Sequence, residues 1–420
     1  MNLRFIIQAS LAAFGTYFCM YAFRKPFTVA TFSNELFFGI DYKILLIIAQ
    51  VLGYTLSKFI GIKIISEMKS SKRMLALIAF ILFAELALLG FALVPAPYNI
   101  LFLFLNGLPL GMIWGIIFSY LEGRKATELL GVILSSSFIV SSGAVKSVGK
   151  LVMDKLQFNE YWMPFITGLF FIIPLIFFTY LLEKLPKPTE KDNALKTARK
   201  PLDKEGRKEL FRQFSVPLII IVIFFMMLTS IRDFRDNFAR EIWDTLNYKD
   251  AAIYSISEIP IAIIVLIVLG IIGSITKNYK AFIFYHYVLF IGCLSILIST
   301  YLFQLELISP ITWMMISGLG LYSCYVPFNG IFFDRMIATF KIEGNVGFLI
   351  YIADAFGYLG SIFILLFKNF AKEELSWLSF FTTSLYFLAF SGLGITLYCY
   401  HFFKKKYKQP VKINELIYEQ

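Results

Sequence analysis

Three cations interrupt sequence that is otherwise apolar: Arg24 and Lys25 in Phe18–Phe27 (FCMYAFRKPF), and Lys58 in Gly53–Phe59 (GYTLSKF). A charge deep in a bilayer costs about 2.5–3.5 kcal/mol on insertion scales, and is tolerated mainly where it faces a bundle interior, a wet cavity or a partner. At helical spacing Arg24 shares a face with Ala13, Tyr17 and Tyr21. Planar guanidinium donors beside phenolic hydroxyls suit an oxyanion. Arg24 is therefore read as an anion hook flanked by Tyr17 and Tyr21. The competing reading has Arg24 and Lys25 snorkelling outward to an interface.

A second set lies in the other half of the chain. Arg232 is followed by Asp233, Asp236, Arg240 and Asp244. The pairs Arg232/Asp236, Asp236/Arg240 and Arg240/Asp244 fit a salt-laced helix end, each worth about 0.2–0.5 kcal/mol. The other reading of Arg232 is a ligand clamp that answers Arg24. Lys146 and Lys150 share a face with Ser142; Lys146 is the one expected to line a cavity and Lys150 to snorkel. Two acids, Asp354 and Glu258, fall inside apolar stretches and suit proton coupling or charge balance. A third, Glu85, reads as a packing or interhelical hydrogen-bond residue.

The elements that must position these residues are set by composition. The 420 residues are 58% hydrophobic and 16% charged, with mean hydropathy +0.73. Soluble domains are about one quarter charged, so a soluble enzyme is excluded. The net charge of +11 sits in short loops between apolar runs, which fits a membrane protein and not a nucleic-acid-binding face. Twelve stretches are long and apolar enough to span: 4–30, 43–65, 74–94, 98–120, 131–153, 161–182, 215–238, 252–274, 281–302, 310–333, 345–368 and 378–402. Basic residues follow the even-numbered spans (Lys69, Lys72 and Arg73; Arg124 and Lys125; Lys277 and Lys280; Arg335 and Lys341; Lys404–Lys406), so both termini are expected in the cytoplasm.

The expected organisation is a six-helix bundle over 1–182, a charged cytoplasmic linker over 183–214, a second six-helix bundle over 215–403, and a basic tail over 404–420. The fold class is an all-α membrane protein of twelve helices in two pseudo-symmetric halves. Arg24 and Arg232 lie at matching places in the two halves, and two related halves rocking about a midplane site is a transporter plan. No phosphate loop, glycine-rich fingerprint, catalytic triad or metal cluster is present in the sequence. No enzyme activity, cofactor or metal is expected. The four cysteines lie in apolar spans without paired spacing, and His286 and His401 read as packing or interfacial residues.

The motifs Tyr21–Phe27 and Gly53–Phe59, followed by Glu67–Arg73, resemble the major facilitator superfamily, and within it the organophosphate:phosphate antiporters that carry glycerol-3-phosphate and hexose phosphates. The resemblance covers about the first 75 residues and is architectural beyond them. It implies that Arg24 and Arg232 clamp phosphate with Lys58 in the same cavity. Where that family carries a histidine in span 5, this chain reads Ser135–Ser142 without one.

The resulting expectation is a secondary transporter of a small anionic solute, a phosphorylated metabolite being one candidate, working by alternating access in a cytoplasmic or inner membrane as antiporter or symporter. Its partners are the anion and the lipid bilayer, with no nucleic acid, and the chain acts as a monomer. Two alternatives stay open: a transporter-like sensor that binds without flux, and a proton symporter of a neutral solute.

Overall fold

A computed structural model describes residues 3–33, 35–121, 127–186, 204–329, 331–341, 347–370 and 376–408. The middle of the charged linker, the Arg124–Lys125 loop and the end of the basic tail lie outside the described residues. The first half of the chain forms α1 (Leu3–Met20), α2 (Tyr42–Ser66), α3 (Arg73–Leu93), α4 (Ile100–Leu121), α5 (Thr127–Asp154) and α6 (Met163–Glu183). The second half forms α7 (Lys204–Asn237), the short α8 (Ala239–Thr245), α9 (Ile253–Ser274), α10 (Asn278–Gln304), α11 (Pro310–Tyr325), α12 (Ile331–Phe340), α13 (Gly347–Phe370) and α14 (Trp377–Lys408). Among the described residues, twelve helical segments are long and apolar enough to cross a membrane, six in each half.

Two spans are not the continuous helices the hydropathy suggests. The first was expected to run to about residue 30, but α1 stops at Met20 and gives way to 3-10 turns at Tyr21–Phe23 and Pro26–Val29. Pro26 has no N–H to offer the Ala22 carbonyl and its ring crowds that carbonyl, so the helix cannot pass through it. The tenth was expected over 310–333. It breaks at a 3-10 turn over Val326–Asn329, containing Pro327, before α12 begins. The helix that carries the seventh span begins at Lys204 and is interrupted by non-helical backbone at Phe214; the span itself begins at Phe211.

Helices within each half pack through small residues. A Cβ on Gly107 of α4 would lie 2.3 Å from the Gln50 carbonyl oxygen of α2, so only hydrogen fits there. In lipid, where apolar burial gives no driving force, this backbone approach supplies the packing. The halves meet along two seams, α5 against α9 and α2 against α13. On the α5–α9 seam a Cβ at Gly143 would sit 2.5 Å from the Tyr254 carbonyl oxygen.

A hairpin (β1, Leu36–Phe37; β2, Ile40–Asp41) caps the end of the molecule where α2 begins. Phe38 and Gly39 at its turn both take positive φ, the requirement of a two-residue type I′ loop. The hairpin belongs to the first half but is tied to the second. Asp41 N donates to Asn369 Oδ1 (2.9 Å), and Asn369 Nδ2 donates to the Gly39 carbonyl (3.0 Å).

Replacing Gly107 by Val forces α2 and α4 apart. The expected cost is about 1–3 kcal/mol, the usual range for overpacking, read as an earlier unfolding midpoint of the purified protein in detergent. The same change at Gly394, whose Cβ would meet nothing within 4 Å, should leave that midpoint unmoved.

Candidate functional site

The break in span 1 frees backbone carbonyls inside the bundle, where an unsatisfied polar group costs several kcal/mol. Two amide side chains take them up. Gln50 Nε2 of α2 donates to the Arg24 carbonyl (3.0 Å) and to Asn106 Oδ1 (2.8 Å). Asn106 Nδ2 of α4 donates to the carbonyls of Phe23 (2.9 Å) and Ala84 (3.0 Å). The break is thereby fixed, and the Arg24 side chain with it.

The Arg24 guanidinium lies 4.0 Å above the Tyr54 ring and 5.9 Å from that of Tyr21. No carboxylate pairs with it among the described residues, and its Nε is buried without a hydrogen-bond partner. Tyr17 packs edge-on against Tyr21, with ring centroids 5.4 Å apart, and is within electrostatic reach of Arg24. Cation–π contact gives about 2 kcal/mol when desolvated, less than the several kcal/mol that removing a cation from water costs. Arg24 therefore retains a large unmet demand for an anion.

The second half presents Arg232 differently. Its guanidinium is 3.9 Å above the Tyr325 ring, but Nη2 also pairs with Asp233 Oδ1 at 2.5 Å, and Asp233 Oδ2 accepts from Ser361 Oγ at 2.7 Å. Tyr21 lies within electrostatic reach of both Arg24 and Arg232, and of Asp236. Tyr358 stands edge-on to Tyr54 at 5.8 Å and is within reach of Lys58, Asp354 and Tyr325. A tyrosine-lined region between the halves thus joins the two arginines.

Around it run ion pairs that cross from one half to the other. Asp236 of α7 accepts from Lys25 and from Lys146 (2.5 Å), and Ser142 donates to it as well. Lys25 also donates to Asn237 Oδ1 (2.8 Å). Lys58 of α2 pairs with Asp354 of α13 at 2.7 Å, and the Lys58 side chain is still a quarter exposed. Lys43 pairs with Glu241 of α8 (2.5 Å) and donates to the Thr28 carbonyl. Burial pushes the Glu241 carboxyl up while Lys43 pulls it back down. Acidification therefore deprives Lys43 of its partner at a higher pH than an ordinary glutamate would.

Several expectations for individual residues change. The helix ends before Tyr21, so the shared face of Ala13, Tyr17, Tyr21 and Arg24 does not exist as one helical stripe; the tyrosines meet Arg24 through the break. Lys25 does not snorkel, because it is 6% exposed and paired with Asp236. Lys150 is also buried and pairs with Asp154. Of the predicted ladder only Arg240–Asp244 forms. Asp236 turns away to the lysines of the first half and Arg232 takes Asp233 instead. Glu258 pairs with Arg235 at 2.6 Å, not with Arg232. Arg235, Lys43, Gln50 and Asn106 were not singled out in the sequence, and Asp236 was read only as a rung of a salt-laced helix end; the amides matter only because of the break.

Arg24, Lys25, Lys58, Lys146, Arg232 and Arg235 face four carboxylates, those of Asp233, Asp236, Asp354 and Glu258. The arrangement can hold a small anion inside the bundle. No group of metal-ligating side chains occurs among the described residues.

The fold is similar to that of several solved membrane transporters. A crystallised D-xylose–proton symporter aligns with TM-score 0.62 at 15% identity, over 94% of this chain and 97% of that one. A bacterial homologue of the human lysosomal transporter Spinster, inward-facing and unoccupied, aligns with 0.64 at 12% identity, over 98% and 100%. The nucleoside transporter NupG aligns with 0.60 at 16% identity, over 96% and 100%. Twelve spans in two six-helix halves with a charged seam between them define a multi-pass membrane protein of the major facilitator fold. No protein with a curated description matches the sequence. The chain belongs to a family of unknown function (DUF5690), whose profile matches residues 26–406.

Removing the shared carboxylate leaves two buried lysines uncompensated. Asp236→Asn is expected to destabilise the protein by about 3–5 kcal/mol, the range for breaking a buried pair. Adding Lys146→Met should restore part of that loss, and a double-mutant cycle on unfolding midpoints measures the coupling. Strict additivity would show that the pair does not act as a unit.

Proposed function

We propose that this protein is a secondary transporter of a small anionic solute, a phosphorylated metabolite by preference, moved by alternating access between its two halves. The observation that carries the reading is Arg24: a guanidinium held inside the bundle over a tyrosine ring, with no carboxylate to neutralise it among the described residues. The resemblance of Tyr21–Phe27 and Gly53–Phe59 to the organophosphate antiporters supports phosphate as the group recognised. The excess of cations around the tyrosine-lined region supports an anion of either one or two charges.

In this reading Arg24 and Arg232 are the clamp, with Tyr17 and Tyr21 as hydroxyl donors. Arg232 exchanges Asp233 for the solute as it arrives. Lys58 and Lys146 add positive potential. Asp354 and Glu258 balance Lys58 and Arg235, and so act as counterions between loads. The latch of Lys25, Lys146 and Lys43 on Asp236 and Glu241 closes the hairpin end. The basic loops support an orientation with that end outside a cytoplasmic membrane and both termini within the cytoplasm. On that orientation the conformation is the one shut to the outside.

Purified protein in liposomes loaded with unlabelled phosphate or glycerol-3-phosphate should take up the radiolabelled compound by counterflow. Arg24→Ala and Arg232→Ala should each weaken apparent affinity by about 1.5–3 kcal/mol, the worth of a charged hydrogen bond, or roughly tenfold to a hundredfold. Arg24→Lys should recover only part, since a point charge replaces a planar fork. Uptake at unchanged affinity in both alanine variants would rule out the clamp. Tight binding with no flux would make the protein a sensor.

A further inference from the structure

Glu85 is unlike every other acid discussed here. It lies in the interior of α3, 4% exposed, and neither carboxyl oxygen has a hydrogen-bond partner among the described residues. The carboxyl group rests on Gly168 of α6, where a Cβ would come within 2.2 Å of Oε2. The glycine provides room for it and nothing else.

No charge compensates it among the described residues. The elements packed against α3 are α4, α6 and the turns flanking it, including the break at Tyr21–Phe23. Helix α4 carries no charged residue, and α6 carries only Glu183 at its far end. Arg24 and Lys25 lie beyond the break, where Lys25 pairs with Asp236, and neither reaches the Glu85 carboxyl. Placing a bare carboxylate there would cost several kcal/mol with no Coulombic return. A protonated carboxyl avoids that cost.

Glu85 is also one residue from a device already described. The carbonyl of the adjacent Ala84 shares the Asn106 amide with the Phe23 carbonyl at the break that presents Arg24. The helix on which the Glu85 carboxyl rests, α6, also packs against the break at Tyr21–Phe23. An ionised Glu85 would need donors or water drawn into the α3–α6 contact, which would disturb the packing that holds the break.

We infer that Glu85 is a proton-binding site, filled in this conformation, whose proton is the second solute of the cycle and whose release frees the span 1 break. The role in a cycle rests on the transport reading above; the filled site does not. Infrared spectra of the full-length protein in lipid nanodiscs should show a protonated-carboxyl band that is lost in Glu85→Gln. A hydrophobic carbodiimide should form an adduct at Glu85, mapped by mass spectrometry of the native protein. That second readout decides the matter should the Gln variant fail to fold. The link to conformation is read by spin labels on Gln157→Cys and Asn247→Cys, exposed sites in loops of opposite halves. Their distance distribution should shift between mildly acidic and alkaline pH, and should stay in its acidic form when Glu85→Gln is added. Loss of a carboxylate band in Glu85→Gln, absence of an adduct, or an unchanged pH response in that background each overturns the proposal. None of these measurements uses the transported anion, so failure of phosphate as substrate and failure of the proton site remain separate results.

Discussion

A cation kept away from water needs something to replace the solvent, and among the described residues the Arg24 guanidinium has tyrosine rings and no carboxylate around it. That unmet requirement organises the protein. A continuous first helix would pass Arg24 along its cylinder; Pro26 breaks it and lets the side chain turn inward. The broken turn then needs Gln50 and Asn106 to satisfy its carbonyls, and these in turn need α2 and α4 to approach as closely as Gly107 permits. The closest helix packing in the first half and the least satisfied charge are parts of one construction.

The second half is built to a different balance. Arg232 has Asp233, Arg235 has Glu258, and Asp236 takes two lysines from across the seam. Buried pairs of this kind add little net stability, because desolvation offsets most of the attraction, yet losing one partner is costly. They are suited to holding two bodies in register without gluing them. The Lys25, Lys146 and Lys43 contacts do this at the hairpin end and Lys58–Asp354 does it deeper in. Movement between the halves must break them, and under the proposed transport of an anion the solute would take over one side of the exchange.

Much of the architecture was legible in the sequence because hydropathy and loop charge report directly on which segments lie in lipid. Twelve segments and a six-plus-six plan follow from run lengths alone. The region joining Arg24, Lys58, Lys146 and Arg232 was legible as a set of misplaced charges. What spacing does not carry is where helices stop being helices. The break at Tyr21 undid the helical-face arithmetic for Arg24, and the turn at Val326 divided span 10. Pairing was the other blind spot. Helical neighbours such as Arg232 and Asp236 were natural partners on paper, but a carboxylate between two desolvated lysines from another bundle is the stronger claim on Asp236. Lys25 was misjudged for the same reason, since its partner is more than two hundred residues away.

The central claim is that one guanidinium from each half faces a common anion site. Diffraction from crystals soaked in tungstate, a heavy tetrahedral oxyanion, tests it without knowledge of the natural solute. A single anomalous peak between Arg24 and Arg232, within hydrogen-bond distance of both, is the expected result. A site that contacts only surface lysines such as Lys277 and Lys280, or two separate peaks with one arginine each, would contradict it.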